Sequence, residues 1–280
     1  MQFRYFRPRD DVRSLASSYY SVNFADPVAD IMRAEIANVR FILKGTVSTD
    51  LSGQPSEYAA GQTLLCGPTH RASNVTFSAG ARVFGAAITP LGWARLFDVS
   101  ADDLADRIVP LEDHLTGEGR DLLDSVFSAH DDEARAVACD DLFAAAADMG
   151  RPVHHVFLDR VTAWITSPDH NELVDLLAEL PMSDRQIIRL SRKYFGSAPK
   201  LLHRKFRALN SANRLTWHDL TDWRDVASTS YSDQPHFIRE FKQFNGRTPG
   251  EFIKGTHILV RMTLQERLQI AHDSPFSLIG

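Results

Sequence analysis

Cysteine is scarce: the 280 residues hold two, Cys66 and Cys139. Their separation suits neither a disulfide framework nor a zinc site. Each reads as a small buried apolar residue. Long apolar runs are missing too. Nothing approaches the ~18 residues of a membrane span, and the opening Met1-Gln-Phe-Arg-Tyr-Phe-Arg-Pro-Arg-Asp10 lacks the apolar core of a signal peptide. No membrane partner is expected, and the cytoplasm is the expected compartment. Chelating and catalytic patterns are absent as well. His70 has no histidine two residues away, His154 and His155 are adjacent and point apart, and His130 with Asp131, Asp132 and Glu133 reads as a solvated turn. There is no Gly-x-Ser-x-Gly, no His-Glu-x-x-His and no phosphate loop. The sequence therefore offers no catalytic residue, no metal ligand and no cofactor site, and the expectation is a protein that is not an enzyme.

What is present is unevenly charged. The chain has a formal charge of −5. Residues 1–150 carry 13 basic and 22 acidic side chains, whereas residues 151–280 carry 18 and 14. An acidic half joined to a basic half implies two domains with different partners, and Gly150-Arg-Pro152 marks the expected boundary. The first domain, 1–150, reads as β-rich. Short strand-like pieces at 39–44, 62–66, 74–78 and 81–89 lie between Gly, Pro and Ser breakers, the pattern of an antiparallel sandwich or barrel. Helical spacing follows over 118–129 and 131–149, an expected helical hairpin, with a further helix start at Ser100-Ala-Asp-Asp-Leu104. The alanine-rich hairpin suits either a homodimer surface or packing against the sheet.

The basic stretch 183–215 organises the second domain. It holds nine Lys and Arg against one acid, Asp184. Ser183 and Gln186 form a capping-box signature, Gly196 ends the helix, and Pro199 opens the next. With an amphipathic helix over 171–180 ahead of it, this is the pattern of a helix-turn-helix, whose second helix enters the DNA major groove. A second copy follows. Its first helix is expected over 223–229. Ser232-Asp-Gln-Pro-His-Phe-Ile-Arg-Glu-Phe-Lys242 then leads to Gly246 and Pro249, as Ser183-Asp leads to Gly196 and Pro199.

These residues resemble the DNA-binding domain of the AraC/XylS family of bacterial transcription regulators. Ser232 to Lys242 and Gly246-Arg-Thr-Pro-Gly-Glu-Phe252 are close to its signature, with Ser183-Asp-Arg-Gln186 and Gly196-x-x-Pro199-Lys200 fitting the first unit. Two positions depart from the pattern: Ser191 stands where the family has a bulky apolar residue, and Ser228-Thr-Ser230 lacks the usual turn glycine. The front half is similar to the cupin-like sensor domains that precede such domains, through Ile88-Thr-Pro-Leu-Gly-Trp93 and Val109-Pro-Leu-Glu-Asp113.

The resemblance implies an α+β protein: a cupin-like antiparallel β-barrel or sandwich with a helical hairpin, then an all-α domain, 151–280, with two helix-turn-helix motifs. It implies a sequence-specific regulator of transcription, activator or repressor, controlled by a small-molecule effector. Its partners would be double-stranded DNA and, for an activator, RNA polymerase. With helix geometry it implies that Arg185, Arg189, Gln234, His236 and Arg239 meet base edges. It places Arg192, Lys193, Lys200, Arg204 and Lys205 on phosphates, with Lys242 alongside. Tyr19, Tyr20, Phe41, Phe77 and Phe84 are the expected ligand-binding residues of the barrel for a small apolar or aromatic molecule, the alternative being a filled core with no ligand. Coupling between the halves is expected through 118–149 and the 150–152 joint. The rival reading is a cupin-type metal enzyme or a DNA-repair-linked protein carrying the same DNA module.

Overall fold

The computed structural model describes residues 1–51, 53–115, 118–167, 173–226, 231, 233–255, 258–270 and 276. Its class is α+β: two antiparallel sheets come first and helices dominate the rest. Strands β1 (Gln2–Phe6), β2 (Ala16–Asn23), β9 (Arg82–Ile88), β4 (Asn38–Lys44), β7 (Thr63–Cys66) and β10 (Ile108–Pro110) form one sheet in that order. Strands β3 (Val28–Met32), β8 (Ser73–Phe77), β5 (Thr46–Thr49) and β6 (Ser56–Ala59) form the other.

Successive strand residues point to opposite faces, and this parity divides the large sheet. Tyr19, Val39, Phe41, Leu65, Phe84 and Ala86 face one side and pack with Val126, Cys139, Leu142 and Phe143. These last come from helices α3 (Leu123–Ser128) and α4 (Asp132–Ala146), which follow α1 (Pro90–Leu96) and the single turn α2 (Glu118–Asp121). Tyr19 donates to Asp140 at 2.8 Å in this core. The other face carries Val22, Ile42, Leu64, Cys66 and Val83, which pack with Val75 and Phe77 of the small sheet. The helical hairpin therefore buries its apolar face on the sheet. Of its large apolar side chains, Val137 stands exposed.

The helix expected at Ser100–Leu104 does not form. The Ser100 hydroxyl donates to the Asp102 carboxylate instead of accepting from a backbone N–H. The chain makes successive turns, and Asp106, at φ 56°, redirects it into β10. A helix without a matching expectation, α1, begins at 90, where Thr89 caps Gly92 N and Pro90 fits the first turn.

The remaining helices are α5 (His155–Thr166), α6 (Leu173–Glu179), α7 (Asp184–Phe195), α8 (Pro199–Trp217), α9 (Gln234–Asn245), α10 (Pro249–Lys254) and α11 (Ile258–Ile270). Residues 224–226 are also helical; 227–229, the rest of the expected first helix of the second unit, lie outside the described residues.

The two halves abut directly. Ala34, Ile36 and Ala94 share a buried cluster with Phe157, Tyr194, Phe206 and Phe244. Backbone bonds cross the seam from Ala34 N to Phe244 O, Ala72 N to Gln243 O and Ala101 N to Lys193 O. Asp30 pairs with Arg247 and accepts from Leu259 N. The contact surface between the halves runs through β3, the segment that follows it and α1. The 150–152 joint also meets α1, where Arg151 donates to Ala94 O and Phe97 O.

Candidate nucleic-acid interface and cavity

Helices α7 and α9 are built alike. Each has twelve residues and ends on a left-handed glycine, Gly196 at φ 81° and Gly246 at φ 79°. A proline-led helix follows each. The Ser183–Gln186 capping box is formed at the start of α7. Asp233 stands at the N-cap of α9 without a side-chain bond, and Ser232 lies outside the described residues. Ile187, Leu190, Tyr194 and Phe195 bury one face of α7; Phe237, Phe241 and Phe244 bury one face of α9. Ser191 is fully buried, and its hydroxyl donates to Ser197 O at 2.6 Å, so the small polar residue ties the helix to its own exit turn.

On the opposite faces Arg185, Arg189, Arg192, Lys193, Gln234, Arg239 and Lys242 are exposed, as is Lys200 in the first turn of α8. Three of the expected contacts are placed differently. Lys205 is 1% exposed, and its ammonium donates to Glu35 O at 2.6 Å, so in this arrangement it reaches no phosphate. Burial pushes its pKa down to about 7. Arg204 and His236 pair with Glu240, at 2.5 and 2.7 Å, while remaining partly exposed, and Arg207 joins them at 2.8 Å. Glu240 itself is 1% exposed, and a buried carboxylate must be paired. Burial alone would raise it, but hydrogen bonds from Arg207 and Arg204 outweigh that and hold it below the usual range. The signal for Glu240 was in the sequence: it falls on the stripe that Phe237, Phe241 and Phe244 define.

Between the two sheets and α11 lies a cavity of about 120 Å³. That exceeds the ~10–15 Å³ one water requires on such a measure. Phe3, Tyr5, Tyr20, Val22, Ile42, Leu64, Val75 and Phe77 supply its apolar wall. Strand parity corrects the expected ligand set. Tyr20 and Phe77 line the cavity, whereas Tyr19, Phe41 and Phe84 point the other way into the core under the helices. Adjacent residues such as Tyr19 and Tyr20 cannot face one pocket from a single strand.

The polar groups of the cavity were not anticipated. Three guanidiniums, Arg33, Arg40 and Arg267, enter it with one carboxylate, Glu35. Arg40 pairs with Glu35 at 2.5 Å and donates to Tyr20 at 3.0 Å. Arg33 donates to Asn213 at 2.8 Å; burial, and then repulsion from Arg267, push its pKa down to about 9. Arg267 donates through Nε to the Tyr5 hydroxyl at 2.7 Å, while its Nη1 is buried without a hydrogen-bond partner. Among the described residues Glu35 is the carboxylate that meets these three guanidiniums, an excess of positive charge in apolar surroundings that favours an anion.

Among the described residues, no group of three or more His, Cys, Asp or Glu could hold a metal ion, and no helix is long and apolar enough to cross a membrane. His70 lies against Asp106, with Nδ1 at 3.4 Å.

No family model matches the chain, and no curated protein matches it. Solved structures do show a likeness. The 1.65 Å structure of ToxT from Vibrio cholerae aligns with 90% of this chain and 98% of its own, at 12% identity and a TM-score of 0.49. ToxT from Vibrio cholerae O395, bound to (E)-4-(8-methylnaphthalen-1-yl)but-3-enoic acid, aligns over the same shares at 11% identity and a TM-score of 0.47. The AraC-like transcriptional activator CuxR aligns with 67% of this chain and 79% of its own, at 13% identity and a TM-score of 0.25.

Proposed function

We propose that the chain is a sequence-specific DNA-binding regulator of transcription of the AraC/XylS type, with α7 and α9 as its two reading helices and an effector bound in the inter-sheet cavity. The observation that carries this reading is the repeated unit. Two twelve-residue helices close on left-handed glycines, and each turns exposed cations away from an aromatic core. Arg185, Arg189, Gln234 and Arg239 are the base-reading candidates; Arg192, Lys193, Lys200 and Lys242 are the phosphate candidates. The front half, 1–150, senses, and 151–280 reads.

The effector is a small molecule with an apolar body and an anionic group. Leu259, Val260, Thr263 and Arg267 of α11 wall the cavity opposite the sheets, so a bound molecule touches both halves. It shifts DNA affinity to the extent that it prefers one arrangement of the halves.

Selection from random duplexes by the full-length chain, followed by titration with salt, tests the DNA reading. One sequence class should emerge, with log affinity falling by about 0.9 per phosphate contact for each decade of salt. Arg189→Ala should cost about 1–3 kcal/mol on that class and less on random duplex. An affinity indifferent to salt, or equal losses on both duplexes, contradicts it. For the effector, calorimetry with a set of aromatic and aliphatic carboxylates and their methyl esters should show acids binding more tightly than esters. Arg267→Met should remove the difference. Equal binding of acid and ester rejects the anionic assignment.

A further inference from the structure

The proposed reading leaves one residue of α7 unexplained. Positions 185, 188, 189 and 192 are spaced i, i+3, i+4 and i+7, so they share one helix face. Three are exposed arginines, and the fourth is Ile188, 41% exposed. Arginines elsewhere sit on carboxylates, as Arg9 does on Asp11, Arg40 on Glu35, Arg82 on Asp132 and Arg247 on Asp30. On this face Arg185, Arg189 and Arg192 have no ion pair among the described residues. The stripe is therefore a concentrated cationic surface, complementary to a polyanion, with a single branched apolar side chain in its middle.

The second unit repeats the device. Ile188-Arg189 begins eight residues before Gly196, and Ile238-Arg239 begins eight residues before Gly246. The residues just ahead, Ile187 and Phe237, are both fully buried, so the two dipeptides occupy the same helical position. Ile238 is half-buried against the Phe237–Phe241 cluster, and Arg239 is exposed.

An apolar side chain on a base-reading face has one chemical counterpart. The C5-methyl of thymine is the apolar group that the major groove displays, and the neighbouring guanine O6 and N7 match the arginine fork. Resting on the DNA-reading function above, we propose that Ile188 is a specificity-determining residue. It packs on a thymine methyl beside the guanine taken by Arg189, and Ile238-Arg239 make the same pair of contacts. Each half-site then contains a guanine next to a thymine, and the two half-sites share that step.

Replacing thymine by deoxyuridine removes this methyl and nothing else. The full-length chain is measured on its selected duplex with each thymine replaced in turn. One position in each half-site should lose about three- to fivefold in affinity, the worth of one buried methyl. Ile188→Ala, at an exposed position, should abolish the loss at one half-site and keep it at the other; Ile188→Val should retain most of it. If Ile188→Ala leaves every thymine-to-uracil ratio as in the parent, the proposal is overturned while the DNA reading stands. If the parent chain selects no duplex at all, both fall together.

Discussion

Lys205 shows how a single side chain changes its meaning once its surroundings are known. In the sequence it is one of nine cations in a basic stretch; in the fold its ammonium sits under the β-rich half on Glu35 O. Its pKa falls from 10.5 to about 7. Between those values the unfolded chain binds a proton that the folded chain does not, so this residue makes stability rise with pH across that window. Below about 7 the full cost of burying the charge is present. Lys205→Met should therefore raise the melting temperature more at pH 7 than at pH 10, by the equivalent of a few kcal/mol at most. It should leave the salt dependence of DNA binding unchanged. A shallower salt slope in the variant would return Lys205 to the phosphates. Glu240 belongs to the same scale. Its hold on Arg204, Arg207 and His236 was hidden because basic residues were read by their own spacing rather than by the acid they surround.

Elements were legible where the chain punctuates them. Ser183, Gln186 and Gly196 bound α7, and Pro199 starts α8 within the same logic. Ser183→Ala should cost about 0.5–2 kcal/mol of stability, seen as a lower denaturation midpoint. Because the cap lies outside the arginine stripe, the preferred DNA sequence should be unaltered. A variant with an unshifted midpoint would show that packing alone fixes this helix. Strand positions near 39–44, 62–66, 74–78 and 81–89 were also readable, but the side each residue faces was not. Tyr19, Phe41 and Phe84 are as apolar as Tyr20 and Phe77, and only the pairing of β2, β4 and β9 decides which set meets the helices. The arginines of the cavity escaped for a related reason. Arg33 follows the end of β3, Arg40 lies in β4 of the other sheet, and Arg267 comes from the last helix, far along the sequence.

At the scale of the molecule, a β-rich part comes first and a helical part follows it. What composition could not reveal is that they share an apolar cluster and a cavity. The seam has a mechanical consequence. Gly196 lies so close to the β-rich half that an added Cβ would fall 2.3 Å from Pro68 Cγ, and at Gly246 it would fall 2.3 Å from Ile31 Cγ2. Both helices are thus seated by the same end on one body. A pair of readers on a slack tether tolerates any spacer it can span; a seated pair has a fixed azimuth. B-DNA completes a turn in about 10–10.5 base pairs, so each inserted pair swings one half-site round the axis by about a tenth of a turn. Affinity measured across a series of spacers should therefore rise and fall with the helical period. A smooth decline with length would mean that the seats release when DNA binds.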